Sequence, residues 1–270
     1  MFNMKTEGNL LKMSSELKET AHYYLHLGSE RLHMNDLIGQ NIEIAYQHQI
    51  NCIRCGRKTS KSFFQGYCYP CFIKAPETDE CIVHPEKCQA HEGISRDMEW
   101  SQTHCLIDHY VYLAISSGLK VGVTRHTQIP TRWIDQGAHE AVKMAKAPNR
   151  HIAGLIEVDL KQYLADKTNW QQMLKNQVKH PVDLLEAREE ASRMLTPELQ
   201  SYLLKEDNEV THIHFPVKVY PKKVKSISLD KVDHYQGKLM GIKGQYLIFE
   251  DNAVFNVRKH NGYLVTLRVS

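Results

Sequence analysis

Two cysteine pairs with the same spacing constrain this chain more than any other feature of its sequence. Cys52 and Cys55 form the first pair, Cys68 and Cys71 form the second, and twelve residues separate the pairs. Two thiolates three positions apart can bind one side of a zinc ion, and a second pair brought round by a hairpin completes a tetrahedron. The spacing therefore predicts a zinc ribbon with a closed, structural metal site.

Three more cysteines follow the ribbon, at Cys81, Cys88 and Cys105. A second four-coordinate site needs one further ligand, and His91 follows Cys88 at the spacing of a Cys-x-x-His knuckle. The other candidate ligands are His84 and His104. The alternative is that these are three unrelated thiols. We expect a second zinc site with His91 as its fourth ligand.

The cysteine count also bears on the cellular compartment. Seven is an odd number, which argues against a framework made only of disulfides, and Cys-x-x-Cys spacing suits thiolate–metal bonds in a reducing cytosol. Residues 1–19 mix charges with short apolar pieces and lack the continuous apolar segment of a signal peptide. No apolar run approaches the roughly 20 residues that a membrane span needs. We expect a cytoplasmic protein with no membrane partner.

The ribbon sequence is both basic and aromatic. Its cations are Arg54, Arg57, Lys58 and Lys61, and its aromatic residues are Phe63, Phe64, Tyr67 and Tyr69. Cations attract phosphates, and exposed rings stack on unpaired bases. The alternative is that the rings only pack the ribbon. The net charge of the chain is +3, so a nucleic-acid surface has to be a local patch. This patch predicts DNA or RNA as a partner.

The rest of the pattern predicts a mixed α/β (α+β) fold in five segments. Residues 1–50 form an N-terminal β segment, residues 51–105 the zinc-binding segment, and residues 106–180 an α/β core. Residues 181–206 form a helical connector that Pro181 opens, and residues 207–270 carry short β-like runs between glycines. Strands from one or both termini predict a small β-barrel.

Within the core, a hairpin of residues 109–115 and 119–124 is followed by a helix over residues 128–136, closed by Gly137. A third strand over residues 140–147 follows. Asn149 then caps a helix that is expected to run to about residue 165. The C-terminal runs over residues 213–220, 245–249 and 264–269 are predicted to be strands.

This order of elements resembles the GIY-YIG nuclease domain. In that family the first strand carries a Gly-Ile-Tyr motif and the second a Tyr-Ile-Gly motif; the matching stretches here end at Tyr112 and begin at Lys120. The family's arginine on the next helix corresponds to Arg132, and its metal-binding glutamate corresponds to Glu157. This chain departs from the pattern because the first glycine is absent and the second tyrosine is Lys120.

The resemblance implies a metal-dependent endonuclease. Glu157 would hold Mg²⁺ or Mn²⁺, and Arg132 would bind the scissile phosphate. Tyr112 would position or deprotonate the attacking water, and Lys120 would add positive charge beside the phosphate. Two alternatives are a non-catalytic DNA- or RNA-binding zinc ribbon with a degenerate nuclease core, and a protein-interaction adaptor.

The chain as a whole also resembles an uncharacterised bacterial family, domain of unknown function 2797. The similarity rests on residues 52–71, 120–122, 166–170 and 241–249, and it spans nearly the full length. It implies a shared architecture and supplies no activity.

Overall fold

The structure is a computed structural model that describes residues 4–178 and 182–270. The strands are β1 (Met4–Asn9), β2 (Ser14–Leu17), β3 (Ala21–Leu27), β4 (Glu30–His33), β5 (Asn41–Asn51), β6 (Lys58–Thr59), β7 (His109–Ile115), β8 (Leu119–Arg125), β9 (Glu140–Ala147), β10 (Val210–His212), β11 (Lys225–Ile227), β12 (His234–Lys243), β13 (Tyr246–Phe249), β14 (Ala253–Asn256) and β15 (Tyr263–Val269). The helices are α1 (Tyr69–Lys74), α2 (Met98–His104), α3 (Thr131–Asp135), α4 (Arg150–Leu160), α5 (Trp170–Leu174), α6 (Leu184–Met194) and α7 (Pro197–Gln200). None of these described helices has the length and apolar character needed to cross a bilayer.

The described residues divide into two compact units. The first unit consists of residues 4–73, 174–176 and 214–270, and it contains the cysteine pairs of the ribbon. The second consists of residues 74–173, 177–178 and 182–213, and it contains the other three cysteines and the residues that were predicted to resemble a nuclease core. The mixed α/β class predicted from the sequence is confirmed, with several separate sheets.

The first unit is built on a sheet to which both ends of the sequence contribute. Its strand order is β1-β15-β5-β12-β13-β14-β11, with β6 paired to β5. β15 runs antiparallel to both β1 and β5, so residues more than 200 positions apart are neighbours, as in the pair of Ile44 with Leu267. Both of these side chains are buried. A separate three-stranded sheet, β2-β3-β4, lies in the same unit.

The predicted small barrel is not formed as a closed barrel. β1 and β11 stand at opposite ends of the strand order, and no pairing among the described residues joins them. Residues 213–220 are not a strand; apart from one bridge between Val217 and Gly241 they are irregular. The prolines at Pro216 and Pro221 explain this difference, because a proline has no N–H to donate to a neighbouring strand.

The second unit contains an antiparallel sheet with the order β10-β9-β7-β8. The predicted hairpin and third strand are confirmed as β7, β8 and β9. β10 pairs with β9 although it lies in the C-terminal segment that was predicted to form the barrel. The sheet packs against α4 and α6, and the core residues include Val111, Leu113, Val142, Met144, Ile156, Leu160 and Ala191.

The helices of this unit begin close to where the sequence predicts and end earlier. The Asn149 side chain accepts a hydrogen bond from the Ile152 N–H at 2.9 Å and so caps α4, which ends at Leu160. α3 is shorter than the predicted helix over residues 128–136, since a residue that precedes a proline, here Pro130, is disfavoured in a helix. Pro181 lies outside the described residues, and α6 begins at Leu184 after its cap Asp183.

Candidate functional site

The first cysteine cluster forms where β5 ends. Cys52 follows directly after β5, β6 pairs back on that strand, and Cys71 lies in α1. The four sulfurs of Cys52, Cys55, Cys68 and Cys71 all lie within 4.8 Å of one another. Zinc–sulfur bonds of about 2.3 Å in a tetrahedron place sulfurs roughly 3.8 Å apart, and the Sγ atoms of Cys55 and Cys68 are separated by 3.8 Å. This cluster could hold zinc.

The protonation of these thiols also suits a cation. Burial opposes ionisation of Cys52, but hydrogen bonds from backbone N–H groups, that of Cys68 first, outweigh burial and lower its pKa to about 6. Burial and the neighbouring thiols raise the pKa of Cys71 to about 12. The negative charge of Cys55 raises the pKa of Arg57, which therefore faces the sulfurs. A metal ion can replace the protons that these thiols would otherwise share.

The second cluster brings together Cys81, Cys88 and Cys105. All three are buried, and their sulfurs lie within 4.8 Å of one another. Cys81 lies in a 3-10 turn, Cys88 directly follows the turn Pro85–Lys87, and Cys105 ends α2. Three thiolates at this spacing could hold zinc.

The structure does not place His91 with these sulfurs. Within residues 4–178 and 182–270, no histidine joins the three cysteines at the same mutual distances. The ring of His91 stacks on His151 with centroids 4.4 Å apart, and the ring of His104 stacks on Trp100 at 4.0 Å. His84 lies 3.4 Å from the carboxylate of Glu86.

A buried arginine connects the second cluster to α4. Arg150 donates from Nη1 to the Cys81 carbonyl at 3.3 Å and from Nη2 to the His104 carbonyl at 3.0 Å. Hydrogen bonds from the Cys81 and Cys88 thiols lower the pKa of Cys105, and the charge of Arg150 lowers it further. This position of Arg150 could not be predicted, because nothing in its local sequence distinguishes it from a surface cation.

α4 also packs closely on the turn between Cys81 and Cys88. Any side chain at Gly154 would collide with the backbone of Pro85 and Glu86, so only glycine permits this approach. Glu157 lies one turn further along the same helix. The second cysteine cluster therefore helps to position the helix that carries Glu157.

The predicted catalytic tyrosine lies in the interior of the second unit. Tyr112 in β7 is fully buried, and its hydroxyl donates to Oε1 of Gln136 at 2.7 Å. Burial raises the pKa of Tyr112, whereas the charge and hydrogen bonding of Arg132 act to lower it. The two side chains therefore meet, although Tyr112 lies in a strand and Arg132 lies in α3.

Lys120 and Glu157 belong to the same electrostatic environment. Burial, followed by the charge of Arg132, lowers the pKa of Lys120 to about 7, and the carboxylates of Glu157 and Asp166 oppose that shift. Burial raises the pKa of Glu157, which pairs with Lys161 at 3.3 Å. The charges of Arg132 and Glu157 thus act on both Tyr112 and Lys120, and the catalytic roles of these four residues stay predictions.

A comparison with protein-family models finds one match, described as protein of unknown function (DUF2797), over residues 39–265. The chain belongs to this family. The matched region of this DUF2797 protein includes both cysteine clusters and the residues Tyr112, Lys120, Arg132 and Glu157. No curated protein and no solved structure matches the chain. The GIY-YIG resemblance stays a prediction from the sequence motifs.

In the DUF2797 chain the basic ribbon residues are on the surface. Arg54, Lys58 and Lys61 are exposed, and Lys61 Nζ lies 5.2 Å from the centre of the Phe63 ring. The rings of Phe63 and Phe72 stack at 5.8 Å. Phe64 and Tyr69 are 38% and 56% exposed, so some of the ribbon's aromatic side chains pack together and others reach solvent.

The partners of Tyr112 and Glu157 were not predicted from the sequence. Gln136 accepts the hydrogen bond of the Tyr112 hydroxyl, and Lys161 pairs with Glu157. The position of Lys161, four residues after Glu157 on a predicted helix, was a usable signal for that ion pair. Gln136 had none, because its role depends on how α3 packs against β7.

Proposed function

We propose that this protein is a zinc-containing nucleic-acid-binding protein whose second unit is a metal-dependent phosphodiesterase of the GIY-YIG type. One observation carries this proposal: the charges of Arg132 and Glu157 act on the ionisation of both Tyr112 and Lys120, although the four residues lie on four different elements. They are also the residues that match the nuclease motifs in the sequence.

Arg132 and Glu157 supply the two charges that phosphodiester hydrolysis needs. Arg132 is half-buried, so its guanidinium can reach a phosphate and bind two of its oxygens. Asp166 and Glu86 raise the pKa of Glu157 through their negative charges. A divalent cation offsets such a concentration of carboxylates, and Mg²⁺ and Mn²⁺ prefer oxygen ligands. Glu157 would hold that ion, which would supply Lewis-acid chemistry at the phosphate.

Tyr112 and Lys120 would support Arg132 and Glu157 from buried positions. Because burial raises the pKa of Tyr112, its hydroxyl is neutral at physiological pH and serves as a hydrogen-bonding group between Gln136 and Arg132. This arrangement orients Arg132 without requiring Tyr112 to lose a proton. Lys120, with a pKa lowered to about 7, contributes positive charge near Arg132 when the pH is below that value.

The ribbon in the first unit would supply affinity for the nucleic-acid backbone. Exposed Arg54, Lys58 and Lys61 can contact phosphates, and exposed Phe64 and Tyr69 can stack on unpaired bases. Arg57 differs from the other three cations because it faces the cysteine sulfurs. It would balance the charge of a zinc–thiolate centre.

The test is cleavage by the full-length protein. We expect the chain with Mn²⁺ or Mg²⁺ to cut at least one member of a panel of branched, single-stranded and duplex DNA and RNA. Glu157→Gln should abolish cleavage because it removes the charge that holds the cation. Glu190→Gln, at an exposed position of α6 in the same unit, should leave it unchanged. Absence of cleavage, or cleavage that persists in Glu157→Gln, would refute the phosphodiesterase.

A second candidate function, binding without catalysis, is favoured by the burial of Tyr112 and Lys120, which are 0% and 3% exposed. A core with these groups inaccessible would serve as a scaffold without catalysis. Salt-sensitive binding to nucleic acid, with no cleavage and no Mn²⁺ signal dependent on Glu157 in electron paramagnetic resonance, would support this function.

A further inference from the structure

We propose that Cys81, Cys88 and Cys105 form an open zinc site whose fourth ligand is a water molecule. Small ligands with a neutral nitrogen donor enter through an adjoining cavity and replace this water on the zinc ion. The proposal is independent of the phosphodiesterase, because it concerns different residues of the second unit.

The two cysteine clusters differ in the number of ligands that they offer to a zinc ion. Zinc in proteins is almost always four-coordinate, with closed shells in structural sites and an external ligand in catalytic ones. The ribbon cluster has four sulfurs, whereas the second cluster has three. No other His, Cys, Asp or Glu in the described parts of the chain joins those three at the same mutual distances.

Cys81, Cys88 and Cys105 also line a cavity. Its volume is about 280 Å³, and its other lining residues include Ile94, Arg96 and Trp100. A water molecule occupies about 30 Å³ in the liquid, so the cavity has room for several waters or one small organic molecule. Ile94 is 57% exposed, which places the mouth of the cavity at this residue.

The charge of the zinc-loaded site favours a neutral fourth ligand. One Zn²⁺ and three thiolates carry a net charge of −1, and the buried guanidinium of Arg150 neutralises it. Arg96, which lines the cavity, forms an ion pair with Asp79 at 2.9 Å. A neutral fourth ligand keeps the balance between the zinc–thiolate centre and Arg150, whereas an anion would add a buried charge that Arg150 does not offset.

The site can be tested with cobalt, which replaces zinc and has visible d–d absorption that reports its ligands. The full-length protein is loaded with Co²⁺ and titrated with imidazole at pH 8, with azide as the anionic probe. We expect imidazole to shift the absorption of about half of the bound cobalt, because the closed ribbon cluster should not respond. Azide at the same concentration should shift it less.

Three variants identify the responding site. Cys105→Ser should lose the response, and His91→Ala should keep it. Ile94→Trp keeps all three thiols and narrows the mouth, so it should raise the imidazole concentration needed for half of the shift by about tenfold with unchanged cobalt content. This variant decides the question if Cys105→Ser does not fold.

Three outcomes would overturn the proposal. A wild-type protein that binds only one cobalt per chain has no second metal site. A fully loaded wild-type protein that does not respond to imidazole has a closed one. A response that first appears in His91→Ala shows that His91 is the fourth ligand.

Discussion

Gly122 lies directly opposite Tyr112 in the β7–β8 hairpin, and a Cβ atom at Gly122 would stand 2.6 Å from the Tyr112 hydroxyl oxygen. The tyrosine ring therefore occupies the space in which the side chain of its neighbour would lie. This close approach holds the hydroxyl where it reaches Gln136. The absence of a side chain at Gly122 thus makes room for the ring of Tyr112.

Replacing Gly122 by alanine should destabilise the second unit. The added methyl group cannot fit without moving the buried ring of Tyr112, and overpacking of this kind costs about 1–3 kcal/mol. Urea unfolding followed by circular dichroism measures the loss. Gly118→Ala in the same hairpin is the matched control, because its Cβ meets nothing within 4 Å. Equal effects of the two substitutions would show that Tyr112 does not fill the space above Gly122.

The natively purified protein should contain two zinc ions per chain, one for each cysteine cluster. Elemental analysis is the measurement. Cys68→Ser and Cys105→Ser should each lower the content to about one ion, because each removes a ligand from a different cluster. His91→Ala should retain both ions, since its ring packs on His151. A single ion in the wild-type protein would exclude one of the two clusters as a zinc site.

The stability of the first unit should depend on pH through Lys243. This side chain is fully buried, donates to Asn176 at 3.0 Å, and lies over the ring of Phe215. Burial lowers its pKa from 10.5 to about 7. Between these values the unfolded chain carries a proton that the folded chain lacks. Lys243 therefore makes the free energy of unfolding rise with pH, by up to about 1.4 kcal/mol per pH unit.

Lys243→Met should remove this dependence. The Lys243→Met variant should be more stable than wild type. The difference in the free energy of unfolding should be largest below pH 7, where the wild-type protein buries a charged lysine, and should shrink as the pH rises toward 10. Chemical denaturation at several pH values measures the difference. Lys238→Met, at an exposed position of the same strand, is the control and should leave the pH slope unchanged. A difference between Lys243→Met and wild type that is constant with pH would contradict the assigned pKa.

The ribbon cations should determine the salt dependence of nucleic-acid binding. Replacing Arg54, Lys58 and Lys61 by glutamine removes up to three phosphate contacts. Each contact contributes about 0.7 to the slope of log affinity against log salt for a single strand, so the slope should fall by about 2. Fluorescence anisotropy with labelled single-stranded DNA and RNA at several salt concentrations measures it.

The control for the ribbon variant removes the same number of charges elsewhere in the first unit. Lys222, Lys223 and Lys225 are exposed and lie outside the ribbon. Their replacement by glutamine should change the slope much less. Equal slopes for the two triple variants would mean that binding follows net charge and that the ribbon is not the interface.

Local spacing predicted several features well. The clustering of the four ribbon cysteines followed from the Cys-x-x-Cys spacing, because fixed zinc–sulfur distances leave few arrangements of such pairs. The cap at Asn149 and the β7–β8 hairpin were also readable, since capping and turn formation depend on neighbouring residues. Residues 213–220 were predicted wrongly as a strand, because the β-like composition of this short run was given more weight than Pro216 within it.

The long-range pairings could not be predicted from local patterns. The neighbourhood of β1, β15 and β5 joins the two ends of the sequence. β10 leaves the C-terminal segment to pair with β9, which no periodicity in its three residues indicates. Pairings of this kind are selected by which surfaces can be buried together in three dimensions.

The sequence by itself determined which side chains can bind metal and which helix is capped at Asn149, because each depends on neighbours a few positions apart. Only the tertiary structure decided that Arg150 lies against the three-cysteine cluster, that His91 stays outside it, and that Tyr112 is enclosed between Gly122 and Gln136. The physical reason is burial: the ionisation and reach of these groups depend on the elements packed around them, and those elements come from distant parts of the chain.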